Sequence, residues 1–184
     1  MPRRPVLVAV SGPPATGKTT LAHRLARELG CPAIVRDEIK QGMVMNTPDH
    51  QPDGDDLLNI PAMHAFFDTL GVLLQANVTL VAEAAYQDRL WRPGLEPLLR
   101  VADLRIIRCT TPTSAIVERV KDRAESDRHR AAHADGRLLS DISTGIYSPD
   151  RFAEISLDAP TLLVDTSEGY RPDTAEIAAF VRAR

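Results

Sequence analysis

The run Gly12-Pro13-Pro14-Ala15-Thr16-Gly17-Lys18-Thr19 constrains this 184-residue chain more than any other stretch. It matches G-x-x-x-x-G-K-[ST] at every fixed position. It also follows an apolar run, Val6 to Ser11, that reads as a strand buried on both faces. After it, Leu21, Leu25 and Leu29 recur every four residues, placing one apolar stripe on a helix from Thr19 to Leu29, which Gly30 ends. Strand, glycine-rich turn and helix N-terminus together form an anion cradle. Gly12 and Gly17 let the backbone bend so that successive N–H groups face one phosphate chain, and the helix dipole adds positive potential. In that setting Lys18 reaches the terminal phosphates and acts catalytically, the Thr19 hydroxyl ligates a magnesium ion, and Thr20 completes the nucleotide-contacting run. ATP and Mg²⁺ are the expected cofactors.

The rest of the chain alternates short β-branched runs with longer helical stretches, the pattern of βαβ units on a parallel sheet. Further strands are expected at Ala33 to Arg36, Val78 to Ala82, Leu104 to Arg108 and Thr161 to Val164. Helices are expected at Pro61 to Gln75, Arg89 to Arg100, Thr113 to Glu125 and Asp173 to Val181. The fold class is therefore α/β, a five-stranded parallel sheet flanked by helices, in one domain over residues 1–184. Asn46 to Asn59 and Ser126 to Pro160 read as irregular polar segments, the first a variable acceptor-side segment (about 42–60), the second overlapping a lid (about 113–140).

Composition narrows the partners. A net charge of −3 and an aromatic content of 4% argue against duplex nucleic acid or a single-strand stacking platform. Cys31 and Cys109 are far apart and outside any C-x-x-C pair, which fits a reducing compartment better than a disulfide framework or a zinc site. No segment approaches the roughly 18 apolar residues of a membrane helix, so the chain reads as cytoplasmic. The five histidines show no ligand spacing, and His23 is expected at the surface. Oligomeric state is not legible.

Three clusters bear on the reaction. Asp37, in Val35-Arg36-Asp37-Glu38, follows the second strand. Strand carboxyl ends line the ligand crevice of a parallel sheet, so Asp37 can take the proton of an attacking hydroxyl; equally, it can cap the helix beginning near Glu38. Spacing leaves both readings open. Glu83, just past the third strand, is placed to organise the magnesium ion, with a solvated strand-end carboxylate the alternative. Tyr86, Arg89 and Trp91 follow and are candidates to line an acceptor pocket, with packing the alternative for Trp91. The acidic loop Asp49 to Asp56 lacks the twelfth-position Glu of a calcium loop and reads as solvated.

After the fourth strand comes Glu118-Arg119-Val120-Lys121-Asp122-Arg123, with Arg119 and Arg123 on one helix face. Planar, permanently charged guanidinium groups suit stacking on a base and stabilising charge on a transferring phosphoryl group, so Arg123 is a catalytic candidate. A solvated charged helix face is the alternative. Arg128 and Arg130 are lesser candidates.

Taken together, GPPATGKTT, the RDE after strand two, the VAEAAY after strand three and the ERVKDR helix resemble the small P-loop kinases. These include the chloramphenicol phosphotransferase-like and zeta-toxin-like groups, with gluconate and shikimate kinases as more distant relatives. The resemblance runs from about Val6 to Thr166. It implies the P-loop NTPase, nucleoside-kinase-like fold with a lid. It matches Asp37 to an acceptor-side catalytic base, Arg119 and Arg123 to adenine-side and phosphate-side arginines, and Asp165-Thr166-Ser167 to a loop touching adenine. Gly42 to Asn59 matches no substrate motif, so no particular acceptor is implied. The expected activity is transfer of the γ-phosphoryl group of ATP to a hydroxyl of a small molecule, among them antibiotics and other natural products. A nucleoside or polynucleotide 5′-hydroxyl kinase, or a non-catalytic nucleotide switch, are the alternatives.

Overall fold

The computed structural model of the chain describes residues 3–48, 50, 56–126, 135–147, 152 and 154–183, with the side chains of 123–126 and 135–137 outside that description. Five strands, β1 (Val6–Ser11), β2 (Ala33–Val35), β3 (Leu80–Glu83), β4 (Asp103–Thr110) and β5 (Thr161–Asp165), pair in the order β2-β3-β1-β4-β5. Every pairing is parallel. The first three crossovers place the chain on both sides of β1, so the strand order reverses there. In an open parallel sheet the ligand crevice forms at that point, beyond the strand carboxyl ends.

Side chains of successive strand residues point to opposite faces, and this alternation builds two cores. On one face Leu7, Ala9, Leu80, Ala82, Leu104 and Ile106 pack with Phe66, Leu70 and Leu74 of helix α3 (Asn59–Gln75) and with Trp91 and Leu95 of α4 (Asp88–Leu95). On the other, Val8, Val10, Val81, Ile107 and Cys109 meet Leu21 and Leu25 of α1 (Lys18–Leu29) and Ile177 and Val181 of α7 (Thr174–Arg182). The apolar stripe of α1 expected from its leucine spacing is thus the face that closes the second core. At its end, Gly30 adopts φ 72°, a left-handed C-cap that its missing Cβ permits.

Several boundaries differ from the sequence reading. Arg36 does not end β2; it opens helix α2 (Arg36–Val44), because Val35 is the last residue that can pair with β3. The helix expected over Arg89 to Arg100 divides into α4 and a 3₁₀ turn over Glu96–Arg100, where Pro97 cannot supply an amide hydrogen. The polar stretch after Ser126 contains a further helix, α6 (Asp135–Ser143), following α5 (Thr113–Ser126). Leu138, Leu139 and Ile142 of α6 pack on Ile116 and Val120 of α5, and that small cluster rests on Ala15 of the glycine-rich loop.

Candidate active site

The loop from Gly12 to Gly17 carries three residues with positive φ, Gly12 at 136°, Ala15 at 59° and Gly17 at 76°. Gly12 is a matter of space as well as torsion: a Cβ there would lie 2.3 Å from the carbonyl oxygen of Cys109. The loop is held from within, with the Thr16 hydroxyl donating to Pro13 O at 2.8 Å and Lys18 Nζ donating to the same oxygen at 2.7 Å. Gly17 caps α1 with no side-chain hydrogen bond, and the first turn of α1 has no acidic residue. The first-turn amides therefore have no acidic residue of their own helix against them, and Lys18 stands buried beside them. This donor set fits a polyphosphate.

Thr19 and Glu83 meet across the crevice. The Thr19 hydroxyl donates to Glu83 Oε2 at 2.7 Å. Glu83 is the last residue of β3, not a residue beyond it, and is 4% exposed. Burial pushes its carboxyl above the usual range, while Lys18 and the Thr19 hydrogen bond pull it down and the neighbouring Asp37 and Glu38 push it up again. A buried carboxylate and a hydroxyl converging beside a phosphate loop form a donor set suited to a hard divalent cation, with all ligands oxygen.

Register brings Asp37 to the same place. Val35 pairs with Glu83, so the chain turns into α2 beside the end of β3. The helix is capped by Val35 and Asp37 lies in its first turn, so Asp37 does not occupy the N-cap position. Arg36 Nη1 donates to Asp37 Oδ1 at 2.8 Å, while its Nη2 donates to Asn59 O and Oδ1, tying the start of α2 to the start of α3. That clamp fixes the direction of the carboxylate.

Arg119 is an anchor. Nη1 donates to Ala15 O at 3.3 Å, and Nη2 donates to Thr166 O and, at 2.9 Å, to Ser167 O. One guanidinium thus joins α5 to the phosphate loop and to the loop after β5. The second of these is itself shaped by Asp165 Oδ1, which accepts from the amide and hydroxyl of Ser167. Arg123 lies one turn further along α5, and its side chain is outside the described residues, as are Arg128 and Arg130.

Other expectations meet a different surrounding. Tyr86 does not line an open pocket: it is wholly buried, packed edge-on against Trp91 with ring centroids 5.1 Å apart and close to Phe66. Its ring is large and apolar, and the core over β3 takes it in. Arg89 is exposed on α4, and Thr20 is exposed on α1. His23 is paired, with Nε2 lying 2.7 Å from Glu38 Oε1. Of the acidic loop, Asp49, Asp53 and Asp55 lie outside the described residues. Asp56 is not solvated but forms a buried ion pair with Lys40 of α2, with His50 Nε2 3.7 Å away. Lys40 is the partner that makes burial of Asp56 tolerable, and both were missed because neither shows a local signal.

Among the described residues, no group of His, Cys, Asp and Glu forms a metal cluster, and no helix is long and apolar enough to cross a membrane. A broad groove of about 1290 Å³ lies at the opposite end of the sheet, where β1, β4 and β5 begin. Of the arginines lining it, Arg4, Arg105 and Arg182 donate to backbone carbonyls.

A family model described as an AAA domain matches residues 7–140. No curated protein matches the chain. Among solved structures, a candidate kinase from Chloroflexus aurantiacus J-10-fl is 27% identical over 98% of both chains with a TM-score of 0.81. An APS kinase from Mycobacterium tuberculosis in complex with AMPPNP and APS is 15% identical, covers 99% of this chain and 100% of that one, and has a TM-score of 0.60. A gluconokinase from Sinorhizobium meliloti 1021 is 16% identical, with coverage of 98% and 94% and a TM-score of 0.59. The five-stranded parallel sheet flanked by helices is the P-loop kinase fold.

Proposed function

The chain belongs to the AAA domain family, and from that premise we propose that it is an ATP-dependent kinase that moves the γ-phosphoryl group to a hydroxyl of a small molecule. One observation supports the reading: the Thr19 hydroxyl donates to Glu83 Oε2 beside the glycine-rich loop, an oxygen pair suited to a magnesium ion, with Asp37 among the charges that act on Glu83. Bound Mg·ATP supplies the phosphoryl group and neutralises its developing charge.

The protein's own residues do the rest. Amides of the loop and the first turn of α1 would hold the phosphates, with Lys18, here bonded to Pro13 O, supplying positive charge to them. Thr19 and Glu83 would hold the magnesium ion. Asp37, steadied by Arg36, accepts the proton of the attacking hydroxyl. Arg119 docks a lid of α5 and α6 onto the loop, with Thr166 on the adenine side, and Arg123 keeps the catalytic role toward the transferring group that the resemblance assigns it. On this reading the acceptor side lies along α2 and α3. Its occupant belongs to the hydroxylated small molecules, a class that includes antibiotics and other natural products, as the resemblance to chloramphenicol phosphotransferase-like kinases suggests.

Calorimetry with Mg·ATP, followed by mass-shift screening of hydroxylated metabolites and antibiotics, tests this. Saturable binding lost in Lys18→Ala, and an acceptor gaining one phosphoryl mass, are expected. Folded protein that gives no saturable heat with Mg·ATP rules the kinase out. Turnover of ATP that no acceptor accelerates would favour the nucleotide switch.

A further inference from the structure

Helix α2 carries Asp37, yet little apolar surface holds that helix in place. Of its residues, Arg36 to Val44, the one fully buried side chain belongs to Lys40. Ile39 adds a partly buried contact with the core that α3 and α4 cover. So short a helix has no stability of its own, and its N-cap Val35 supplies no side-chain hydrogen bond. Its direction must come from polar ties to α3, which packs against it.

Two such ties run side by side. Arg36 reaches Asn59, and one turn further on Lys40 pairs with Asp56, the two side chains being 5% and 3% exposed. Each oxygen of the Asp56 carboxylate has its own task. Oδ1 accepts from the Leu58 amide at 3.0 Å while the Asp56 carbonyl accepts from the Asn59 amide, and together these start α3. Oδ2 faces Lys40. His50 Nε2 lies 3.7 Å from that same oxygen, buried and with no hydrogen-bond partner among the described residues. Burial pushes the Asp56 carboxyl up, but Lys40 and the Leu58 amide outweigh it and hold the group below its usual range.

A buried ion pair is seldom worth more in stability than an apolar pair of similar volume. What it adds is direction, since opposite charges must meet at close range whereas apolar contacts are non-directional. We propose that Lys40 and Asp56 are positioning residues whose buried pair sets the angle of α2 against α3 and so keeps the Asp37 carboxylate turned toward Glu83 and the phosphate loop. Asp37 precedes Lys40 by one helical turn and is among the charges that act on Glu83. The proposal rests on the kinase reading for what Asp37 does there, but the angle of α2 can be read without nucleotide.

The double variant Lys40→Met/Asp56→Asn removes both charges, keeps the burial and leaves an oxygen for the Leu58 amide. Residual dipolar couplings of backbone N–H groups in the ligand-free protein report the angle of α2 relative to the sheet. In the wild type, α2 and the five strands should fit one alignment frame. In the double variant the strands should keep that frame, while couplings over 37–44 shrink by about half and amide exchange there quickens about ten-fold. Its Tm should stay within about 4 °C of wild type, because no charge of the pair is left buried alone. Mg·ATP turnover should fall about ten-fold or more with KM for ATP unchanged, and Asp37→Asn added to the double variant should cost little further. Asp56→Glu, which keeps both charges but adds a methylene, is the second variant should the first not fold, and it should turn α2 relative to the strands. Wild-type α2 couplings in the folded variant, strands that lose their frame along with α2, or turnover losses that add in full to those of Asp37→Asn overturn the proposal. Wild-type couplings in a variant that still binds Mg·ATP sink the pair and keep the kinase. An α2 that leaves its frame in a protein that never binds Mg·ATP keeps the brace and sinks the kinase.

Discussion

The hydroxyl of Thr19, on the first turn of α1, donates to the carboxylate of Glu83 at the end of β3, 2.7 Å away and 64 residues apart in sequence. The contact couples the helix that follows the glycine-rich loop to the end of the strand beside which α2 begins. It also has a cost, since Glu83 is buried among Lys18, Asp37 and Glu38 and its carboxyl titrates above the usual range.

That cost can be measured. A carboxyl whose folded pKa exceeds its unfolded value binds protons more readily in the native state, so stability falls as pH rises from the unfolded toward the folded pKa. At neutral pH Glu83 therefore weakens the ligand-free fold. Glu83→Gln, which keeps an acceptor for Thr19, is expected to raise the Tm of the ligand-free protein at pH 7 and to lose the gain at low pH. The same variant should lose Mg²⁺-dependent turnover by about 10²-fold or more. A lower Tm at pH 7 would show that the Lys18–Glu83 attraction outweighs desolvation.

Asp37→Asn separates proton transfer from binding. With Arg36 still able to bond the amide oxygen, the start of α2 should hold, and Mg·ATP affinity should stay within about two-fold. Turnover should fall by about 10²–10⁴-fold, the range for a lost general base. Wild-type turnover would leave Asp37 as a positioning group only.

Arg119→Ala removes three backbone contacts that join the lid helix to Ala15, Thr166 and Ser167. Hydrogen bonds from charged groups are worth about 1.5–3 kcal/mol each when satisfied, and these are partly exposed. A loss of about ten-fold or more in Mg·ATP affinity is expected by calorimetry, with little rescue by Arg119→Lys, because an ammonium cannot span carbonyls on two loops. Affinity unchanged in both variants would return Arg119 to a surface role.

Gly12→Ala places a methyl group 2.3 Å from the Cys109 carbonyl at a φ of 136°. The loop must move away from β4, so nucleotide binding should be lost while circular dichroism stays native. Unchanged binding would mean the loop has room that its geometry does not show.

Local sequence was enough for the phosphate loop, the two-faced core strands and the stripe of α1, because each depends on the spacing of neighbours along the chain. Gly12, Gly17, Leu21 and Leu25 declare their roles through torsion and periodicity alone. Asp37 and Glu83 could be named as strand-end carboxylates, but not placed together. Only the strand order β2-β3-β1-β4-β5, with Val35 opposite Glu83, decides which side chains share a crevice. Pairing register is a non-local property, set by which buried faces fit. Burial is equally non-local: Tyr86 entered the core because Phe66 and Trp91 left space for its ring, and Asp56 became buried because Lys40 arrived from another helix to neutralise it. A charge or an aromatic ring carries no mark in sequence of the partner that will remove it from water.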